Sequence, residues 1–553
     1  MNIKKKLIPV LIAPIFVGLT LSGQALANDS DELEKLRQLV QELDQKIKVL
    51  DRKGELAEEA AAAKKKETPV VKAGTGGFSF ASADGKNEIK FRGIIQADHR
   101  EYIDGANDVR SRSRNRAGNQ ADDGFNDADS SSLLRRVRPT IEGKINDKYS
   151  FRFTPEFGGG SASVVDAYVE ANLNPAFNIR AGKFKSFVGL ERLQSAGDIK
   201  FLERSYVTNA ILPNRDLGVA IYGSLLDKKL DYAFGIVNGV ADGGNITTGT
   251  SYNGEREYTA RLFATPFKDD ISALSGLGFG LGGTYTDFQG EQNLNWTDTT
   301  AADPTRNGLP SYVTEGQNTF FRYGNNVVAD GKRLRVSPQA YYYNGPFGLI
   351  TEYARVYQDV SLTDRGAGTT TNAELPILAG TKKQLEHDAF NIGVSYLITG
   401  EDASFKGVKP KNDFDLDKGG WGAWELVARY SEINLDSNTF KNGAGNVAGE
   451  NYGTGGTAPA NVALNGAYAD GTLSAKAAKT WTIGANWYLN QNAKFAINYA
   501  QTSFDGGSIS GNTGSNPSTG SPLASGADVA AGTRTVADRP DEKEVLARFQ
   551  VTF

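Results

Sequence analysis

The segment that closes the chain, EVLARFQVTF, alternates residue by residue. Val545, Ala547, Phe549, Val551 and Phe553 fall on one face, and Glu544, Leu546, Arg548, Gln550 and Thr552 on the other. A period of two is that of a β-strand. The pattern recurs upstream: Trp481, Ile483, Ala485, Trp487 and Leu489 alternate with Thr482, Gly484, Asn486 and Tyr488, and Trp424, Leu426, Ala428 and Tyr430 with Glu425, Val427, Arg429 and Ser431. An apolar face backed by a polar one, strand after strand, describes a wall between lipid and water. A soluble sandwich also alternates, so the number, length and aromatic ends of the strands decide.

Sixteen segments carry the pattern, centred near residues 96, 139, 153, 168, 180, 221, 233, 261, 282, 337, 351, 392, 427, 484, 497 and 548. An even number suits a closed bacterial barrel. Short connections such as Asn146-Asp147-Lys148, Asn174-Pro175, Asp227-Lys228, Asn344-Gly345-Pro346 and Asn490-Gln491-Asn492 read as periplasmic turns. Long polar stretches near 104–132, 240–255, 289–331, 358–386, 434–475 and 505–541 read as extracellular loops. The expectation is an all-β fold, a 16-stranded antiparallel transmembrane β-barrel over residues 85–553, ending on Phe553.

Residues 1–27, MNIKKKLIPVLIAPIFVGLTLSGQALA, have three lysines, a short apolar run and Ala25-Leu26-Ala27, the layout of a secretory signal peptide. The run is short for a membrane anchor. From Asn28 to Lys66, Leu33, Leu36, Val40, Leu43, Ile47 and Leu50 recur in steps of three and four, the signature of a coiled coil. Gly54 breaks the pattern. A helix of this length is marginal alone, so residues 28–66 read as a periplasmic trimer stalk or, failing that, a loosely helical spacer. Residues 67–84, with ETPVVKAGTGG, read as a linker.

Composition narrows the function classes. Only 39% of the chain is hydrophobic although it holds 22 Tyr and 28 Phe, which fits a lipid-facing outer surface around a wet interior. The formal charge of −4, about −7 without the leader lysines, does not suggest nucleic-acid binding. The absence of cysteine excludes disulfides and thiol chemistry. His99 and His387 are the only imidazoles and neither sits in a hydrolase motif, which speaks against an enzyme. No cofactor or metal is expected.

Between two well-patterned strands, the stretch from Ala181 to Asp216 loses its alternation. Lys183, Lys185, Arg192, Lys200, Arg204 and Arg215 are mixed there with Glu191, Asp198 and Glu203. A loop folded into the lumen, about 184–212, would narrow the pore and offer cations to passing anions. An ordinary surface loop with solvated charges is the alternative.

Several segments resemble the phosphate-selective porins O and P of Gram-negative outer membranes. They are GIIQAD at 93–98, LLRRVRPTIEG at 133–143, VVDAYVEANLNPAFNIRAGKFKSFVGLER at 164–192, FLERS at 201–205, YLITGE at 396–401, GAWELVARYSEI at 422–433 and TIGANWYLNQNAKFAINYA at 482–500. The resemblance implies a homotrimer of sixteen-stranded barrels in outer-membrane lipid, passing small inorganic anions such as phosphate. It also implies a constriction. The family's Arg pair falls on Arg135 and Arg136, its strand Asp on Asp166, and its loop residues on Arg192, Ser195 and Arg204.

The chain also departs from the family pattern. Ile94 stands where a family arginine would be, Gly197 where a second loop lysine would be, and Lys185 in place of an aromatic. Residues 289–331 hold chiefly Arg306 and Arg322 in place of an arginine cluster. Asp166, Glu142, Glu156 and Glu170 could also pair with Arg138, Arg152 and Arg180 and leave a nearly neutral pore. The alternatives are a general or carbohydrate-type porin and a structural outer-membrane tether. Within the anion reading, reversing Arg192 and Arg204 should matter more than reversing Arg110 or Arg112 in an outer loop.

Overall fold

A computed structural model describes residues 29–74, 76–103, 130–160, 162–246, 255–290, 307–324, 327–363, 380–440, 468–469, 474–510 and 535–553. The signal segment 1–27 and Arg110, Arg112 and Arg306 lie outside these residues. The chain divides into two units at Thr68 and Pro69.

The first unit holds one helix, α1 (Asp29–Glu67). It runs through Gly54, where a break was expected. A glycine in a helix interior costs about 1 kcal/mol, and the flanking run of Glu, Leu, Ala and Lys consists of strong helix formers. Exposed pairs Glu42–Lys46 at 3.0 Å and Asp44–Lys48 at 2.8 Å each add a few tenths of a kcal/mol. Leu36, Val40, Leu43, Ile47 and Leu50 form its apolar stripe, and each is at least 50% exposed.

In the second unit the strands are β1 (Val70–Gly74), β2 (Gly77–Ala81), β3 (Glu88–Tyr102), β4 (Ser131–Ile145), β5 (Tyr149–Glu156), β6 (Ser163–Asn174), β7 (Phe177–Lys185), β8 (Arg215–Leu225), β9 (Leu230–Val237), β10 (Glu257–Ala264) and β11 (Leu277–Gln289). They continue as β12 (Ser311–Val313), β13 (Thr319–Arg322), β14 (Val327–Asn344), β15 (Phe347–Leu362), β16 (Lys383–Leu397), β17 (Ala423–Asn434), β18 (Ala475–Tyr488), β19 (Ala493–Ser510), β20 (Thr535–Asp538) and β21 (Glu542–Thr552). With β1, β2, β12, β13 and β20 set aside, sixteen strands remain. Each pairs antiparallel with its neighbours, and β21 closes on β3 from Thr552↔Ile94 to Glu544↔Tyr102. Every centre expected from the alternation falls inside one of them.

The faces follow the pattern as well. On β21, Glu544, Leu546, Arg548 and Gln550 are buried within the barrel while Phe549 is 48% exposed on its outside. On β17, Glu425, Val427, Arg429 and Ser431 point inward, and Leu426 and Tyr430 outward. The β4–β5 turn places Asn146 and Asp147 at φ 52° and 56°, a left-handed conformation that short polar side chains tolerate best.

The stretch expected as a linker is ordered differently. β1 pairs antiparallel with β2 from Val70↔Ala81 to Gly74↔Gly77, and β2 pairs with β3 from Phe78↔Phe91 to Ala81↔Glu88. The physical reason lies at the seam. β3 runs on past the end of β21 and would leave a bare strand edge, which β2 covers. Just above, Gly93 and Phe553 exchange backbone hydrogen bonds at 2.8 and 3.1 Å. The Phe553 ring lies so close to Gly93 that a Cβ there would stand 2.3 Å from it.

An apolar core occupies part of the interior. Val188, Tyr206, Val207, Ile211 and Leu212 from the β7–β8 connection pack with Tyr312, Phe320 and Phe321 of the β12–β13 hairpin, against inward Val356, Val360, Ala389, Ile433 and Ala478.

Candidate functional site

The β7–β8 connection, residues 186–214, is bound to strands all round the barrel. Gln96 of β3 donates to the Ala196 carbonyl at 3.1 Å, Gln339 of β14 to Val188 at 2.8 Å, and Asn486 of β18 to Lys200 at 2.9 Å. Arg548 of β21 donates to the Leu202 carbonyl at 2.8 Å, and the Tyr206 amide donates to Ser431 of β17 at 3.1 Å. Partners on walls this far apart in the strand order place the segment inside the barrel.

Arg135 and Arg136 are adjacent, so strict alternation would send one of them to lipid. A register shift opposite Gln96 and Ala97 inserts one extra residue in β4, and a bulge of this kind lets neighbours share a face. Arg135 then clamps Glu203 of the loop, Nε to Oε1 at 2.7 Å and Nη2 to Oε2 at 3.0 Å. Arg136 donates to Gln96 Oε1 at 2.6 Å, and its Nε has no acceptor among the described residues. Burial pushes the Glu203 carboxyl up, but Arg135, Arg136 and Arg548 together hold it well below the usual carboxylate range.

The other expected site residues gather around the same loop. Asp166 accepts from Arg215 Nε at 3.0 Å, and Lys185 Nζ donates to the Gln194 carbonyl at 2.7 Å. Arg192 donates to the Thr208 carbonyl. Arg204 donates to the Glu191 carbonyl at 3.3 Å and to Gln194 at 3.0 Å. Ser195 is exposed, its Oγ accepting from the Gly197 amide at 3.3 Å. Burial, then the nearby guanidiniums of Arg204 and Arg215, pull Arg192 well below the ordinary guanidinium range. Burial brings Arg204 down to about 10 against the opposing pull of Glu191. Burial is thus the chief influence on both guanidiniums, and several of the cations here brace the loop backbone.

Four wall residues position the loop; Glu425, Arg429 and Arg548 lie on faces that the alternation makes polar, Glu352 on a strand whose faces it leaves unassigned, and nothing in the sequence marks their role. Glu352 accepts the amides of Leu190 and Glu191 at 2.6 and 2.8 Å, at the start of the short helix α2 (Leu190–Leu193). Arg429 reaches Glu315 of the β12–β13 connection at 2.6 Å, Glu191 at 3.4 Å and the Glu203 carbonyl at 2.9 Å. Glu425 holds Lys200 at 2.9 Å. Arg548, besides its bond to the loop, pairs with Asp98 through two contacts of 2.7 Å.

Beneath the loop lies a cavity of about 940 Å³. Its ceiling is Leu193–Asp198, and part of its wall is Ser404–Lys409 from the β16–β17 connection. Nine cationic side chains line it: Arg92, Arg138, Arg152, Arg180, Lys185, Arg215, Lys406, Lys409 and Lys494. The lining carboxylates are three: Glu142, Asp166 and Asp198. The expected pairs do form, but between neighbouring strands of the wall and not across the lumen: Glu142 to Arg152 and Arg92, Glu156 to Arg138 and Glu170 to Arg180. Among the described residues they leave Lys185, Lys406, Lys409 and Lys494 without an ion pair to a carboxylate. Ile94 also lines the cavity, where the family's pattern would have put a cation.

A comparison with curated proteins gives no match. Among solved structures, the chain is similar to OmpT, an outer membrane protein of Vibrio cholerae, at 10% identity and a TM-score of 0.44, covering 85% of this chain and 98% of that one. It is similar to the outer membrane channel DcaP of Acinetobacter baumannii at 12% identity and 0.43, covering 84% and 97%. It is also similar to an anion-selective porin from Comamonas acidovorans at 11% and 0.41, covering 84% and 100%. At these identities the likenesses say nothing about what passes through the barrel. The family model of phosphate-selective porins O and P matches residues 109–506. With that match across most of a closed sixteen-stranded barrel, the chain belongs to the phosphate-selective porin O and P family of outer-membrane porins.

Proposed function

We propose that the barrel is a water-filled channel for passive diffusion of small anions, phosphate or a related oxyanion foremost. The segment near 184–212 is its constriction. One observation carries this reading: the cavity under the segment is lined by nine cations against three carboxylates. Cations in a narrow wet passage bind oxyanions through charge-assisted hydrogen bonds, and passage requires that release stay fast. Arg136, Lys185, Ser195 and the crowd around Arg192 and Arg204 form the anion-binding set, with Arg135 and Asp166 paired beside them. In this reading the working form is a homotrimer in outer-membrane lipid. Residues 1–27 are removed on export, and α1 stands in the periplasm as a three-stranded coiled coil.

A second reading, a general diffusion pore, is favoured by the pairs Arg135–Glu203, Arg138–Glu156 and Arg180–Glu170, which cancel charge along the wall. Zero-current potentials across planar bilayers in a potassium chloride gradient separate the two. Anion selectivity predicts a chloride preference, reduced by Lys406→Glu with Lys409→Glu, two exposed positions whose reversal leaves the loop's own bonds intact. Equal permeability to chloride and potassium in the unaltered protein would sink the anion reading.

A further inference from the structure

One carboxylate of the cavity has no part in the anion reading. Glu142 is held by Arg92 and Arg152, and Asp166 by Arg215. Asp198, the third lining carboxylate, forms no ion pair within 4.0 Å among the described residues. It hangs from the underside of the loop and is only partly buried.

Its surroundings are specific. Lys494 Nζ donates to the carbonyl of Gly197 at 3.5 Å and of Ile199 at 3.0 Å, so the ammonium brackets Asp198 from both sides along the chain. Gly407 of the β16–β17 connection approaches so closely that a Cβ there would stand 2.9 Å from Asp198 Oδ1, and its φ of +96° is one that glycine adopts without strain. Lys185 and Lys494 are bonded to backbone carbonyls, and Lys200 is taken by Glu425. Asp198 is thus a tethered anion fixed among cations whose charge the loop leaves available.

We propose that Asp198 sets the valence preference of the channel, opposing divalent anions and favouring monovalent ones. The proposal rests on the anion-channel reading above. A fixed negative charge repels a permeating ion in proportion to that ion's charge, so a dianion is opposed twice as strongly as a monoanion at the same place. The surrounding cations attract both, and Asp198 offsets part of that attraction, by more for the more highly charged ion.

The test uses the full-length protein in planar bilayers, with chloride and sulfate as the two anions. Asp198→Asn removes the charge and keeps the shape. The sulfate-to-chloride permeability ratio should rise about threefold at 0.1 M salt and return toward the unaltered value at 1 M, where the screening length falls from about 10 Å to about 3 Å. Asp198→Glu should keep the original ratio. An unchanged ratio in Asp198→Asn at 0.1 M overturns the proposal. So does a rise that persists at 1 M salt, since that would be a change of shape and not of charge. Loss of the chloride-over-potassium preference in the unaltered protein is a separate result, and it would remove the anion reading itself whatever Asp198→Asn does.

Discussion

Arg135 and Glu203 meet through two parallel hydrogen bonds, 2.7 and 3.0 Å, between the barrel wall and the loop that crosses it. Glu203 is buried and Arg135 partly so, with side-chain exposures of 2% and 26%. The contact therefore works as a fastener.

Breaking it should release the loop. Removing one partner of a buried, hydrogen-bonded charge pair costs about 3–5 kcal/mol, and Glu203 also holds Arg100 at 3.0 Å. Glu203→Ala is expected to raise unit conductance and expose the segment to protease, while far-ultraviolet circular dichroism still reports an intact barrel. A variant with unaltered conductance and protection would show that the other loop contacts suffice.

The same pair sets a pH window. Glu203 is held below the usual carboxylate range in the folded protein, so its contribution is present above the unfolded carboxyl value near 4.3 and is lost only as pH falls through the lower folded value. Conductance should be flat between pH 8 and pH 5 as far as this fastener is concerned. A step in that window that disappears in Glu203→Gln would contradict the assignment.

Glu352 caps two amides at the start of α2, and leaving such buried donors unsatisfied costs about 1–3 kcal/mol each. Glu352→Ala should increase open-channel noise more than Glu352→Asp, because the shorter acid still carries an acceptor. Single-channel noise spectra give the comparison directly.

Arg192 and Arg204 are bonded to backbone carbonyls of their own loop, so reversing them to Glu places buried carboxylates against carbonyl oxygens. The expected outcome is a larger, less selective pore, unlike the shift at constant conductance expected from Lys406→Glu with Lys409→Glu. Conductance and zero-current potential recorded together distinguish the two.

The stripe on α1 predicts association. Leu43→Asp with Ile47→Asp should lower the temperature at which the proposed trimer dissociates on semi-native gels. Deleting residues 28–66 should leave a folded barrel, since the two units are internally compact. Failure of the deleted protein to insert would make α1 an assembly element.

Much of this architecture was legible because strand alternation is a local property. Phe549 and Arg548 declare opposite faces wherever β21 ends up, and Asn146-Asp147 suits a tight turn whatever lies beyond. What stayed hidden depends on pairing between distant residues. The bulge that turns both Arg135 and Arg136 inward appears only when β4 is laid against Gln96 and Ala97. Glu352 and Arg429 look like any inward polar residue until the loop amides and Glu315 arrive. Phe78 and Phe80 alternate over too few residues to announce a strand, and it is the bare edge of β3 that makes them one. The β16–β17 connection likewise shows its role only beside Asp198.

The seam between β3 and β21 carries a consequence for assembly. Its partners, Gly93 and Phe553, stand at opposite ends of the barrel sequence, and no turn joins their strands. Closing a loop of that length is entropically the most demanding step available to the chain, and non-local pairings of this kind form slowly. Every other wall contact can grow hairpin by hairpin; this one has to wait for both ends. Arg548 cannot reach Asp98 or Leu202 until it does, so the loop's anchorage on that side, and with it the finished passage, should arrive as the last event of folding.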